Sequence, residues 1–99
     1  MELKIKAIHF DATDKLEAFI EKKVTKLEKS FEDITKVEVQ LKVVKPATAL
    51  NKETSVSVSL PGETIYVDKV CDTFEEGIDH CVDAIKVKIT KYKEKSRRY

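Results

Sequence analysis

The sequence predicts an α+β domain in the order β-α-β-β-β-α, a four-stranded antiparallel sheet with two helices on one face. Three observations carry this. Apolar residues recur at helical spacing over residues 14–30 and again over 73–95. Between these segments, TKVEVQLKV and TSVSVSL alternate apolar and polar side chains as half-buried strands do. Pro61-Gly62 then marks a tight turn between two strands. One sheet covered by both helices satisfies every apolar surface in this pattern, leaving the other sheet face to water. The 99 residues suit one domain over 1–95 with a short basic tail at 96–99.

Each element has its own local reason. Leu3, Ile5 and Ala7 alternate with charged positions, which gives a first strand. DATD at 11–14 makes a turn, and Thr13 suits the cap of the helix behind it. Asp14 and Glu17 fall in that helix's first turn, where the dipole favours acids. Leu16, Phe19, Ile20, Val24, Leu27 and Phe31 form its apolar face. Val37, Val39, Leu41 and Val43 share one side of the second strand, and Val56, Val58 and Leu60 one side of the third. VKPATALNKE is a loop, since Pro46 cannot donate to a ladder. The fourth strand, 64–70, carries Ile65 and Val67 on one side and Tyr66 and Val70 on the other, so its inward side stays open. Phe74, Ile78, Cys81, Val82, Ile85, Ile89 and Tyr92 give the second helix its core face. Gly77 inside that helix costs about 1 kcal/mol against alanine and suits a close approach of helix and sheet.

Charge is unevenly distributed. KVKITKYKEKSRRY, residues 86–99, holds seven bases and one acid, or +6; the chain total is +1, so residues 1–85 carry −5. A polyanion would meet one strongly basic region of an otherwise acidic protein. On a helical wheel, Lys15, Lys22, Lys26 and Lys29 fall within about 60° of one another, and Asp14, Glu17, Glu21, Glu28 and Glu32 within about 60° on the other flank. Lys23 lies at the apolar boundary, where its stem can cover the core edge. In the second helix Lys88, Lys91, Lys95 and Arg98 share one flank, while Lys86, Lys93 and Arg97 share the other. Charged helix faces are ordinary solvated surface, but two basic edges on neighbouring helices fit phosphate oxygens. Without a cluster of Asn, Gln or Arg, backbone contact is expected rather than base reading. Tyr92 is read as core and Tyr66 as an ordinary strand aromatic.

Catalytic chemistry is not expected. His9, Cys71, His80 and Cys81 are the only His and Cys residues, and none shows close-set zinc spacing such as C-x₂-C. Cys81 falls on the apolar face of its helix, whereas Cys71, just ahead of the helix, is expected to be partly exposed. The acid pair Asp79 and Asp83 reads as solubilising surface. Two glycines cannot build a phosphate-cradling loop. No cofactor or metal is therefore expected. The start reads as no signal peptide and no stretch reaches the ~20 apolar residues of a membrane span, so a cytoplasmic protein with free thiols and no membrane partner is expected.

DATDKLEAFIEKKVTKLEKSFEDI resembles the first helix of the ribosome hibernation promoting factors and their ribosome-associated inhibitor relatives, with "EKK" and "KLEK" in place. CDTFEEGIDHCVDAIKVKITKYKEK resembles that family's second helix and basic tail. The resemblance covers residues 1–95 and implies a domain similar to double-stranded-RNA-binding folds. It implies a non-enzymatic factor that binds the small ribosomal subunit and its 16S-type ribosomal RNA between head and body. Such a factor occludes the messenger and transfer RNA channel, inhibits translation under stress, and in some relatives promotes ribosome pairing. The family's RNA contacts carry onto Lys22, Lys26 and Lys29 and onto Lys86, Lys88, Lys91, Lys93 and Lys95, with Lys23 matching the second lysine of "EKK". Departures are Ala7-Ile8-His9 in place of a glycine-led loop, and Ala84, Val87 and Thr90 where relatives often carry basic or polar residues. A short form, monomeric when free, is the expectation. The rival reading is a protein-interaction module whose basic edges recognise an acidic protein.

Overall fold

The computed structural model describes residues 2–8, 11–43 and 51–96, with backbone alone for Lys95 and Ser96. His9, residues 44–50 of the expected loop, and the tail residues Arg97 and Arg98 lie outside the described residues. The elements are β1 (Glu2–Ile8), α1 (Asp14–Ser30), β2 (Lys36–Val43), β3 (Lys52–Leu60), β4 (Glu63–Cys71) and α2 (Phe74–Ser96). Thr13 caps α1 as its sequence position suggests: its side chain accepts a hydrogen bond from Leu16 N at 3.1 Å. Pro61-Gly62 joins β3 to β4, and Gly62 has φ +77°, the left-handed value that the third position of a type II turn requires.

The sheet order is β1-β2-β3-β4. β2, β3 and β4 pair antiparallel, but β1 pairs parallel to β2, with Leu3 opposite Val37 and Ile5 opposite Val39. The sheet is thus mixed, which corrects the antiparallel expectation. The reason is the connection: a whole helix separates β1 from β2, and such a crossover returns the chain to start a parallel neighbour, where a short turn would have made a hairpin. Alternation within β1 identifies its faces and is silent on its direction.

Register places the core in rows across the sheet. Leu3, Val37, Val58 and Ile65 form one row, and Ile5, Val39, Val56 and Val67 the next. Ile65 is buried and Val67 packs against the core, while Tyr66 and Val70 are exposed, so the inward side of β4 is the Ile65 side. Leu16, Ile20, Val24 and Leu27 of α1 and Ile78, Cys81, Val82, Ile85 and Ile89 of α2 close over these rows. Each fully buried Leu, Ile or Val contributes about 1.5–3 kcal/mol relative to exposure. The opposite sheet face shows Lys4, Lys6, Glu38, Gln40, Ser57 and Tyr66, with the Tyr66 hydroxyl donating to Ser55 Oγ at 3.1 Å.

Gly77 lets α2 sit close on β3. A Cβ there would lie 2.9 Å from Thr54 Cβ and would collide with Thr54 Oγ1. At the other end of α2, half-buried Tyr92 donates its hydroxyl to Pro61 O at 2.9 Å. Tyr92 therefore packs on the core with its ring, as expected, and ties the helix to the β3–β4 turn with its oxygen. Cys71 is buried at 3% exposure, contrary to the expected partial exposure. β4 runs one residue further than the sequence suggested and carries Cys71 with it, so the thiol sits under the start of α2. Among the described residues no helix is long and apolar enough to cross a membrane.

Candidate nucleic-acid interface

The two helices run side by side in the same direction. Lys23 Nζ of α1 meets Asp79 Oδ1 of α2 at 2.9 Å, and further along Lys93 Nζ stands 5.2 Å from the ring centroid of Phe31. Both contacts advance from N- to C-terminus on both helices. Asp79, Lys86 and Lys93 are seven residues apart, so one side of α2 faces α1 with all three. On α1, Lys23 also lies 5.5 Å from the Phe19 ring. Lys22, Lys26 and Lys29 are exposed on the solvent side of this seam.

The nine lysines expected to contact RNA therefore separate. Lys22, Lys23, Lys26, Lys29, Lys86 and Lys93 gather along the helix–helix seam. Lys88 and Lys91 are on the other flank of α2 and line a cleft at the β4 edge with Glu63, Thr64, Ile65 and Tyr66. Lys95 continues the helix seven residues after Lys88, and its side chain lies outside the described residues. Two seam lysines are engaged within the fold. The Lys23–Asp79 pair is solvent-exposed and worth about 0–1 kcal/mol. Lys93 over Phe31 adds about 0.5–1 kcal/mol. Lys22, Lys26, Lys29 and Lys86 are left as the outward charges of the seam.

Apart from Asp79, which is paired with Lys23 in the seam, most acids of the two helices lie away from it. Glu75, Glu76, Asp79 and Asp83 occupy the first half of α2 and the lysines its second half, an order the helix dipole favours. The acidic flank of α1 looks towards β1, where Glu17 lines a recess with Ile5, Ala7, Asp11 and Ala12. Neither helix contains Arg, Asn or Gln. Flexible lysine point charges without planar donors suit phosphates rather than base edges. Sequence periodicity found these lysines but missed the two seam contacts. Asp79 was read as solubilising surface, and Lys93 gave no sign of its ring partner.

The thiols are poised for packing, not attack. Burial pushes the Cys71 thiol up, with Glu76 adding to the effect. Burial likewise pushes Cys81 from the ordinary 9.0 up to about 11. Cys81 Sγ lies 3.6 Å from Thr54 O, its acceptor in the core. Nucleophilic cysteines have lowered values. A raised folded-state value means that the unfolded chain loses its proton first as pH rises. The contribution of Cys81 is thus complete below about 9 and lost on going up through about 11. Chemical denaturation between these values is expected to show a steeper alkaline loss of stability for the wild type than for Cys81→Ala; equal slopes would refute it.

A mixed four-stranded sheet carrying two parallel helices, with lysines along the helix seam, defines this chain as a small two-layer α+β domain with a basic helical face. The family model described as Sigma 54 modulation protein / S30EA ribosomal protein matches residues 3–97, and the chain belongs to that family. It is 26% identical over 97 residues to a ribosome hibernation promoting factor of Pseudomonas putida, covering 98% of this chain and 91% of that protein. It is 27% identical over 95 residues to the protein of that name from Azotobacter vinelandii, covering 96% and 85%. Among solved structures, a ribosomal subunit interface protein from Coxiella burnetii aligns with TM-score 0.85 at 22% identity, over 95% of this chain and 99% of that one. The N-terminal domain of Thermus thermophilus Protein Y aligns with TM-score 0.78 at 21% identity, over 93% and 99%. At these identities the two structures establish the shared fold.

Proposed function

We propose that this domain is a ribosome hibernation factor. It binds the small ribosomal subunit through the helix seam, fills the messenger and transfer RNA channel, and so holds idle ribosomes out of translation. The observation that carries this reading is the gathering of exposed Lys22, Lys26, Lys29 and Lys86 on one face of a domain from this family. The names of the Pseudomonas and Azotobacter relatives support it. The mechanism is steric and electrostatic: lysines neutralise ribosomal RNA phosphates and release counterions, so affinity falls as salt rises.

Co-sedimentation through sucrose with small subunits, large subunits and whole ribosomes, at low and moderate salt, tests it. Saturable, salt-sensitive binding to the small subunit is the expected result, and a shift of whole ribosomes to paired particles would add a pairing role. Absence of saturable binding would overturn the proposal and return function to an acidic protein partner.

A further inference from the structure

At the end of the domain away from the lysine-rich half of α2, the fold assembles three metal-ligating side chains that are scattered in type and element. Cys71 ends β4, while Glu76 and His80 lie one turn apart on α2. One donor atom from each lies within 4.8 Å of the other two. His80 Nε2 and Glu76 Oε1 are 3.8 Å apart. In a tetrahedral zinc site, metal–ligand bonds of about 2.0–2.3 Å separate neighbouring donors by roughly 3.3–3.7 Å. The imidazole and carboxylate are therefore almost at ligating separation, and the remaining closure is about 1 Å.

The surroundings fix this geometry. Thr73 Oγ1 accepts from Glu76 N at 3.1 Å, setting where α2 begins relative to Cys71. Gly77, between the two helical ligands, seats that turn against Thr54 of β3. Cys71 is buried, while Glu76 and His80 are exposed and give access from solvent. We propose that Cys71, Glu76 and His80 form a zinc-binding site, with water in the fourth position. A sulfur, nitrogen and oxygen set suits zinc, whereas magnesium and calcium require oxygen ligands. On binding, the Cys71 S–H bond breaks, its proton leaves to solvent, and the thiolate donates to the metal. The bound ion would clamp the end of β4 to the first turns of α2. This site is independent of the basic seam and of the reading built on it. It escaped the sequence pattern because one ligand comes from a strand and one is a carboxylate.

The test titrates chelator-treated protein with zinc chloride by calorimetry and with cobalt chloride by absorption spectroscopy. One metal per chain, a raised thermal midpoint and a thiolate-to-cobalt charge-transfer band in the near ultraviolet are expected. His80→Ala changes only an exposed ligand and should weaken zinc binding by at least about 100-fold, since loss of an outer-shell partner alone costs up to that much. Cys71→Ser should abolish the charge-transfer band, and His9→Ala should bind as the wild type does. No binding, a wild type without the thiolate band, or undiminished binding by a folded His80→Ala would each overturn the proposal. Should Cys71→Ser fail to fold, His80→Ala and the wild-type spectrum decide it.

Discussion

Replacing Lys26 and Lys86 together with glutamate is expected to lower affinity for small ribosomal subunits by roughly 10- to 100-fold, with circular dichroism unchanged. Both side chains are exposed, one on each helix, so their loss removes charge from the seam without opening the core. The neutral variant Lys26→Gln/Lys86→Gln carries the mechanistic information. Each lysine–phosphate contact contributes about 0.7–0.9 to the slope of log K against log salt, so removing two should flatten that slope by roughly 1.4–1.8. Lys4→Glu/Lys6→Glu makes the same change in net charge on the opposite sheet face and should bind nearly as the wild type does. Equal losses from the two glutamate pairs would mean that only overall charge matters, and the helix-face assignment would fall.

Gly77→Val is expected to destabilise the domain by about 3 kcal/mol, the upper end of ordinary overpacking. For a domain of this size that is a fall of roughly 12–24 °C in thermal midpoint. The valine Cβ would enter space held by Thr54, a side chain that is itself fully buried. β3 is a central strand and cannot retreat without disturbing both neighbours, so α2 must lift, loosening Ile78 and Cys81. Gly77→Ala should cost less, because helix propensity returns up to about 1 kcal/mol. Adding Thr54→Ala to Gly77→Ala should recover part of the remaining loss by removing Oγ1. An unchanged midpoint for Gly77→Val, measured by calorimetry, would show that the contact yields more easily than its geometry indicates.

Much of this architecture is written locally. α1 occupies the residues its apolar spacing and Thr13 cap imply, because cap and periodicity both act within a few positions. The lysines are legible for the same reason: a wheel needs only the sequence and a helical pitch. What escaped depends on neighbours far along the chain. The direction of β1 is decided by the crossover through α1, not by Leu3, Ile5 and Ala7. β4 carries apolar residues on both faces, so only its register against Val56 and Val58 distinguishes Ile65 and Val67 from Tyr66 and Val70. Lys23 sat correctly at the edge of the core, yet its partner Asp79 belongs to another helix. Cys71 was misjudged because a position just before a helix suggests access to solvent, whereas here it is also the last residue of a strand beneath that helix.

Among the described residues the mixed sheet has two open margins, β1 on one side and β4 on the other. An unpaired strand margin can template a second copy of the same chain and begin a continuous intermolecular ribbon. Here Lys4 and Lys6 punctuate one margin, and Glu63, Asp68 and Lys69 the other. Bringing two copies of the β1 margin into antiparallel register would set lysine against lysine at close range, which opposes self-templating. The β1 margin thus combines the hydrogen-bonding capacity of a free strand with a charge pattern that discourages its pairing with a second copy of itself.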